Sequence, residues 1–144
     1  MVLAALVAFL AISAGLARVL SANGAERSAI VSLIDAQARG DAPAMISKIQ
    51  GCSGEASCVA SARGNAARLR SPGSVQLVRL DASTSFAVSS HTGTARVVWT
   101  APSRTTIVQC VRVRRGGNVL AGVTVRLLSL SAPIDRQGDC PTSH

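Results

Sequence analysis

Four cysteines, at positions 52, 58, 110 and 140, carry the most definite chemistry in this chain. Their number is even, the globular part is small and an apolar segment of export type precedes it, a combination that points to two disulfides. Four cysteines permit three pairings. In a continuous helix Cys52 and Cys58 would stand about 9 Å apart, beyond disulfide range, but the intervening SGEAS is short and flexible and can fold back. The expected bridges are therefore Cys52 with Cys58 and Cys110 with Cys140. Zinc chemistry fails on spacing, because its ligands come in close C-x2-4-C or H-x3-5-H pairs and His91 and His144 stand alone. No C-x-x-C is present, so neither a metal nor a redox cofactor is expected.

Acid–base chemistry has one candidate pair. His91 would serve as a general base oriented by Asp81 if strands over 75–82 and 84–91 formed a hairpin. The other acids, Glu26, Asp35, Asp41, Glu55, Asp135 and Asp139, fall at helix ends or in turns, and no G-x-S-x-G elbow appears. No catalytic constellation is completed, so a non-enzyme is expected. Trp99, in ARVVWTAP, belongs either to ordinary packing or to the mouth of a ligand pocket shared with Asp81 and His91. Arg112, Arg114, Arg115 and Arg126 form one basic cluster, with Arg96 and Arg104 adjoining. That cluster is either a solvated sheet face or a patch for anionic headgroups or an acidic envelope protein.

Composition narrows the partners. Of fifteen basic residues only Lys48 is a lysine, and with the abundant Ala and Val this reads as genomic GC pressure. Discounting residues 1–24 removes Arg18 and no acid, leaving fourteen basic against seven acidic residues, a net +7. Nucleic acid is not expected, because the arginines are scattered and no aromatic residues interleave them to stack on bases. Phe9, Phe86 and Trp99 are the whole aromatic content, which also excludes an aromatic ligand cage. The core must be aliphatic.

The run VLAALVAFLAISAGLARVL, residues 2–20, is nineteen residues broken by one charge, Arg18. Its length suggests an uncleaved membrane anchor, residues 1–24, with a single domain over 25–144 on the extracytoplasmic side. Arg18 by itself places that domain in the cytoplasm; the cysteines argue for the outside. Ala22 and Gly24 offer the small residues of a cleavage site, the alternative to an anchor. No cysteine follows the segment closely enough for lipidation.

The elements that must position these residues follow in order. In ERSAIVSLIDAQARG, Ile30, Leu33, Ile34 and Gln37 recur at helical spacing up to a stop at Gly40. Asp41 caps a short second helix with Met45, Ile46 and Ile49 on its apolar side, and a third spans Cys58 to Arg70, ended by Ser71-Pro72-Gly73. Strands are expected over 75–80, 85–90, 95–100, 106–114 and 119–130. Arg115-Gly116-Gly117-Asn118 reads as a hairpin turn. A loop over 116–118 then places Ile107, Val111 and Val113 on one face with Leu127, Val123 and Ala121. Val108, Cys110, Arg112, Arg114, Thr124 and Arg126 take the other, which the tail Ser131 to Cys140 must cross. The fold class is α+β: an N-terminal membrane helix, then helices packed on a curved antiparallel sheet of four to five strands.

The first helix with its wording LIDAQARGDAPAMISKI, two further helices and then an antiparallel sheet ending in two long strands resembles the nuclear transport factor 2-like superfamily over residues 25–130. The resemblance implies a cystatin-like cone with helices on a curved sheet. Catalytic members of isomerase or dehydratase type use acids, Tyr or His inside the cone, whereas this chain has no Tyr. The expected function is a non-catalytic extracytoplasmic binding or interaction domain tethered to the membrane through residues 2–20. The alternatives are a small enzyme of the same fold and a structural subunit of an envelope or secretion assembly.

Overall fold

The computed structural model describes residues 2–82, 91–118 and 122–141. Helix α1 (Val2–Arg39) is followed by α2 (Ala42–Lys48), a 3-10 turn (Cys52–Gly54) and α3 (Ala56–Leu69). Strands β1 (Gln76–Asp81), β2 (His91–Ala101), β3 (Arg104–Asn118) and β4 (Gly122–Leu130) form one antiparallel sheet in sequential order. The expected strand over 85–90 and the position of Ala121 lie outside the described residues.

The helical stripe behaves as its spacing requires. Ile30, Leu33, Ile34 and Gln37 are all buried, and the second half of α1 lies on β4 and β3. Gly40 ends the helix at φ 75°, and a side chain there would meet the Arg70 stem at 3.0 Å. Asp41 Oδ1 then accepts from the Ala44 amide at 2.9 Å, capping α2. Met45 and Ile49 join the core, where Val97, Trp99, Val111, Val113 and Leu127 meet them from the sheet.

Helix α1 runs unbroken through the polar stretch Ser21 to Gly24, where the expected anchor ends and the expected domain begins. The expected membrane helix is not supported, because among the described residues no helix is long and apolar enough to cross a bilayer. The uncharged stretch ahead of Arg18, residues 2–17, supplies about 24 Å of helix against a hydrocarbon core of about 30 Å. Its large side chains stand in the open, Leu3 at 75% exposure and Phe9 at 68%, as does Leu20 beyond it at 71%.

The last hairpin is also displaced. The residues expected to turn, Arg115 to Asn118, continue β3, and the strands close at Asn118 opposite Gly122, so Val113 faces Leu127 and Gly117 faces Val123. From Val113 to the tip the shift of pairing is even in number, which keeps Leu127 and Val123 on their expected face. Beyond the bulge between Arg112 and Val113 it is odd, which brings Leu130 opposite Val111 and into the core. Gly117 is required where it stands: its φ is 131°, and a Cβ there would lie 2.0 Å from the Gly122 carbonyl oxygen. Val123, expected in the core, ends up 37% exposed near the tip.

Beyond Leu130 the chain continues along the β3 edge that β4 leaves open. Ser131 N donates to the Cys110 carbonyl at 2.9 Å and Ile134 N to the Val108 carbonyl at 2.8 Å. The tail then folds over the outer sheet face, where Arg96 donates to the carbonyls of Gly138 and Arg136. Val108 and Cys110 are thereby buried on the side of the sheet away from the helices. Both expected bridges are present, Cys52–Cys58 with Cα atoms 5.3 Å apart and Cys110–Cys140 at 5.6 Å.

The sequence separations, 6 and 30 residues, rank the two bridges by loop entropy at roughly 2 and 3–4 kcal/mol. Guanidinium unfolding of paired Cys→Ala variants should therefore show the larger loss for Cys110/Cys140. Equal losses would mean that closing the longer loop through the tail stabilises the fold no more than closing the short loop between Cys52 and Cys58.

Candidate functional site

Strand parity divides the sheet's polar residues between two faces. On the helix side β2 presents His91, Ala95, Val97 and Trp99, opposite Arg115, Val111, Gln109 and Ile107 of β3. On the outer side it presents Thr92, Thr94 and Arg96, opposite Arg114, Arg112 and Cys110.

The inner face is held by a polar cluster whose side chains are buried. Gln37 of α1 and Gln109 of β3 are both fully buried and exchange two amide hydrogen bonds, Nε2 to Oε1 at 2.9 and 3.1 Å. Trp99 Nε1 donates to the same Gln109 Oε1 at 2.8 Å. Gln109 Nε2 also donates to the Ser131 carbonyl at 2.9 Å, which accepts from Asn65 Nδ2 of α3 at 3.1 Å. Gln109 thus uses both donors and both acceptor positions of its amide. Trp99, expected either in ordinary packing or at a pocket mouth, is a core residue with 0% exposure. Its indole N–H is committed to the protein.

A second buried feature lies nearer the hairpin tip. Glu26 of α1 is fully buried and ion-pairs with Arg115, whose side chain is 20% exposed. Arg115 Nη2 also donates to Asn23 Oδ1 at 3.3 Å. Glu26 Oε1 has no hydrogen-bond partner. Arg115, counted with the outer basic cluster from sequence, therefore belongs to the opposite face and is neutralised there. The reason is parity, since residues 114 and 115 of one strand point to opposite sides.

The Asp81–His91 pair does not form. Asp81 lies opposite Arg96, accepts from Arg79 Nε at 2.7 Å and has Arg96 Nη1 at 3.8 Å. His91 lies five residues along β2 from Arg96, about 16 Å at strand rise, and on the other face, opposite Arg115. Clefts of about 560 Å3 over α2 and the 3-10 turn, and of about 390 Å3 between α2 and β4, contain neither residue nor Trp99. Among the described residues no group of His, Cys, Asp and Glu is arranged to hold a metal ion.

Three arginines of the expected cluster do share the outer face. Arg112, Arg114 and Arg126 are exposed, and Arg114 lies directly opposite Arg126 across β3 and β4. Arg114 Nε makes one long contact, 3.4 Å, to Thr92 Oγ1. The adjoining arginines are spent on structure: Arg96 holds the tail, and Arg104 donates to the carbonyls of Arg68 and Arg70.

No protein-family model, curated protein or solved structure matches this chain. Its own geometry therefore carries the functional reading. The buried amides escape notice in the sequence, although a signal for them is there. Gln37 stands at a core position of the helical stripe, and Gln109 alternates with Ile107, Val111 and Val113 on the inward face. Two polar residues at core positions call for each other.

Gln109→Leu should leave the Gln37 amide and the Trp99 indole without partners, while the Ser131 carbonyl keeps its bond from Asn65. At about 1–3 kcal/mol per unsatisfied buried group, a loss of about 3 kcal/mol or more is expected by denaturant titration. Trp99 is the only tryptophan, so its emission, blue-shifted in the native protein, reports the same site directly. Wild-type stability in this variant would contradict the network.

Proposed function

We propose that this chain is a non-catalytic binding domain that works outside the cytoplasm and engages an anionic, phosphate-bearing partner through its outer sheet face. The observation that carries this reading is the arginine trio Arg112, Arg114 and Arg126. Like charges directly opposed across strands are destabilising, and Arg114 and Arg126 stand in that relation with no carboxylate paired to either among the described ion pairs. Guanidinium forks suit phosphate oxygens, which they grip bidentately. Closure of all four cysteines into disulfides supports an oxidising location.

The alternatives have less behind them. An enzyme built on Asp81 and His91 needs them in one pocket, and they stand on opposite faces. An assembly subunit packing through its sheet needs a broad exposed apolar sheet face. Among the described residues the sheet offers Val78 and Val123 as exposed large apolar side chains, while the open part of its outer face carries arginines and threonines. The nuclear transport factor 2-like resemblance stays within this proposal as a statement about shape, supported by helices preceding an antiparallel sheet.

Anionic vesicles, neutral vesicles and soluble polyphosphate test the reading by co-sedimentation and titration. Binding to the anionic probes should weaken with salt. At about 1 kcal/mol per arginine near a charged surface, Arg114→Ser with Arg126→Ser should weaken it roughly 30-fold. Loss with vesicles alone would assign a headgroup surface, and loss with polyphosphate as well would assign the phosphate chemistry whatever its carrier. Undiminished binding by the double variant, or none by the wild type, would overturn the proposal.

A further inference from the structure

We infer that the bond between Gly24 and Ala25 is the cleavage site of an export signal, so that the mature protein begins at Ala25; this rests on the extracytoplasmic reading above. Three independent features meet at this bond. The first is a boundary in burial. Ahead of it Leu3, Leu6, Val7, Phe9, Leu10, Ile12, Leu16 and Leu20 are each more than half exposed, and behind it Glu26, Ile30 and Leu33 are fully buried. A continuous exposed apolar surface of this kind is rare on a soluble monomer. Cutting here removes all eight of those side chains and leaves the helical core stripe whole.

The second feature is chemical. Signal peptidases accept small residues at the first and third positions before the cut, and Gly24 and Ala22 occupy them. The stretch from Val2 to Gly24, an apolar run closed by small and polar residues, falls within the 15–30 residues of a secretory signal. Ser21, Asn23 and Gly24 are also among the poorer helix formers of α1. In the nascent chain this stretch opens most easily into the extended form a peptidase binds.

The third feature is the unpartnered Glu26 Oε1. Hydrolysis adds one water across the Gly24–Ala25 amide, giving a carboxylate on Gly24 and an α-ammonium on Ala25. That cation is created one residue from the buried carboxylate. Glu26 then lies in the first turn of the shortened helix, where an acid is favoured by the helix dipole. The hydrogen bond from Arg115 to Asn23 is given up, and the Glu26–Arg115 pair is retained.

The full chain expressed in an exporting bacterial host, and recovered from outside the cytoplasm, should start at Ala25 by intact mass and N-terminal sequencing. Gly24→Leu should remain uncut while folding normally, because nothing lies within 4 Å of a Cβ built at that exposed position. Gly24→Ala should be cut as the wild type is. An exported chain that keeps residues 1–24 with both disulfides formed would overturn the cleavage while sparing the extracytoplasmic reading. Four free thiols on a cytoplasmic chain would overturn both. Cutting at another bond, or a Gly24→Leu chain processed at the wild-type rate, would overturn the assignment of this bond.

Discussion

The reciprocal amide pair between Gln37 and Gln109 is the contact on which the rest of this fold depends. Two carboxamides buried in an aliphatic core are tolerable only if they meet, because each unpaired group carries a desolvation penalty comparable to a whole helix cap. Sliding α1 along β3 by one residue would orphan both. The pair thus sets the register of the helix on the sheet, which apolar contacts with Val97, Val111 and Leu127 would enforce only loosely. Through Gln109 the same cluster orders Trp99, and through the Ser131 carbonyl it ties in Asn65 of α3 and the start of the tail.

From that anchor the chain beyond β4 is directed along the open edge of β3 and over the outer face. There Cys140 reaches Cys110 and Arg96 spends its guanidinium on tail carbonyls. The outer face is consequently divided. The half near the β2–β3 turn is covered, with Val108 and Cys110 buried beneath the tail. The half toward the hairpin tip remains open and carries Arg112, Arg114 and Arg126. Parity keeps this charge apart from the buried ion pair of Glu26 and Arg115 on the inner face, so neighbouring arginines of one strand serve unrelated purposes.

Helix α1 joins two physically different halves. Its later turns are amphipathic and supply the helical side of the core. Its earlier turns are apolar on all sides and pack on nothing else among the described residues. No propensity break separates them strongly enough to end the helix, since Gly24 and Asn23 cost about a kcal/mol or less each and α1 continues through both. The boundary between the halves is therefore one of burial and not of backbone conformation.

Much of the helical half is legible in the sequence alone. Helical spacing identifies Ile30, Leu33, Ile34 and Gln37 as a core face, Gly40 and Asp41 as stop and restart, and the flexibility of SGEAS allows the Cys52–Cys58 bridge. These readings succeed because each rests on a period or turn that is complete within a few residues. What the sequence leaves open is non-local. Gly116 and Gly117 mark a turn as readily as an extended strand, and only the pairing with β4 makes them strand. Asp81 and His91 are plausible partners until β1 pairs with the far half of β2, and Arg115 looks like one of a cluster until its face is fixed. The bridge from Cys110 to Cys140 is expected from sequence, but the route of the tail is decided by carbonyls of β3 that β4 leaves unpaired. Local propensity and periodicity determined the elements of this protein. Only tertiary structure decided which polar residues meet, because unpaired groups are costly and partners distant in sequence are chosen by packing.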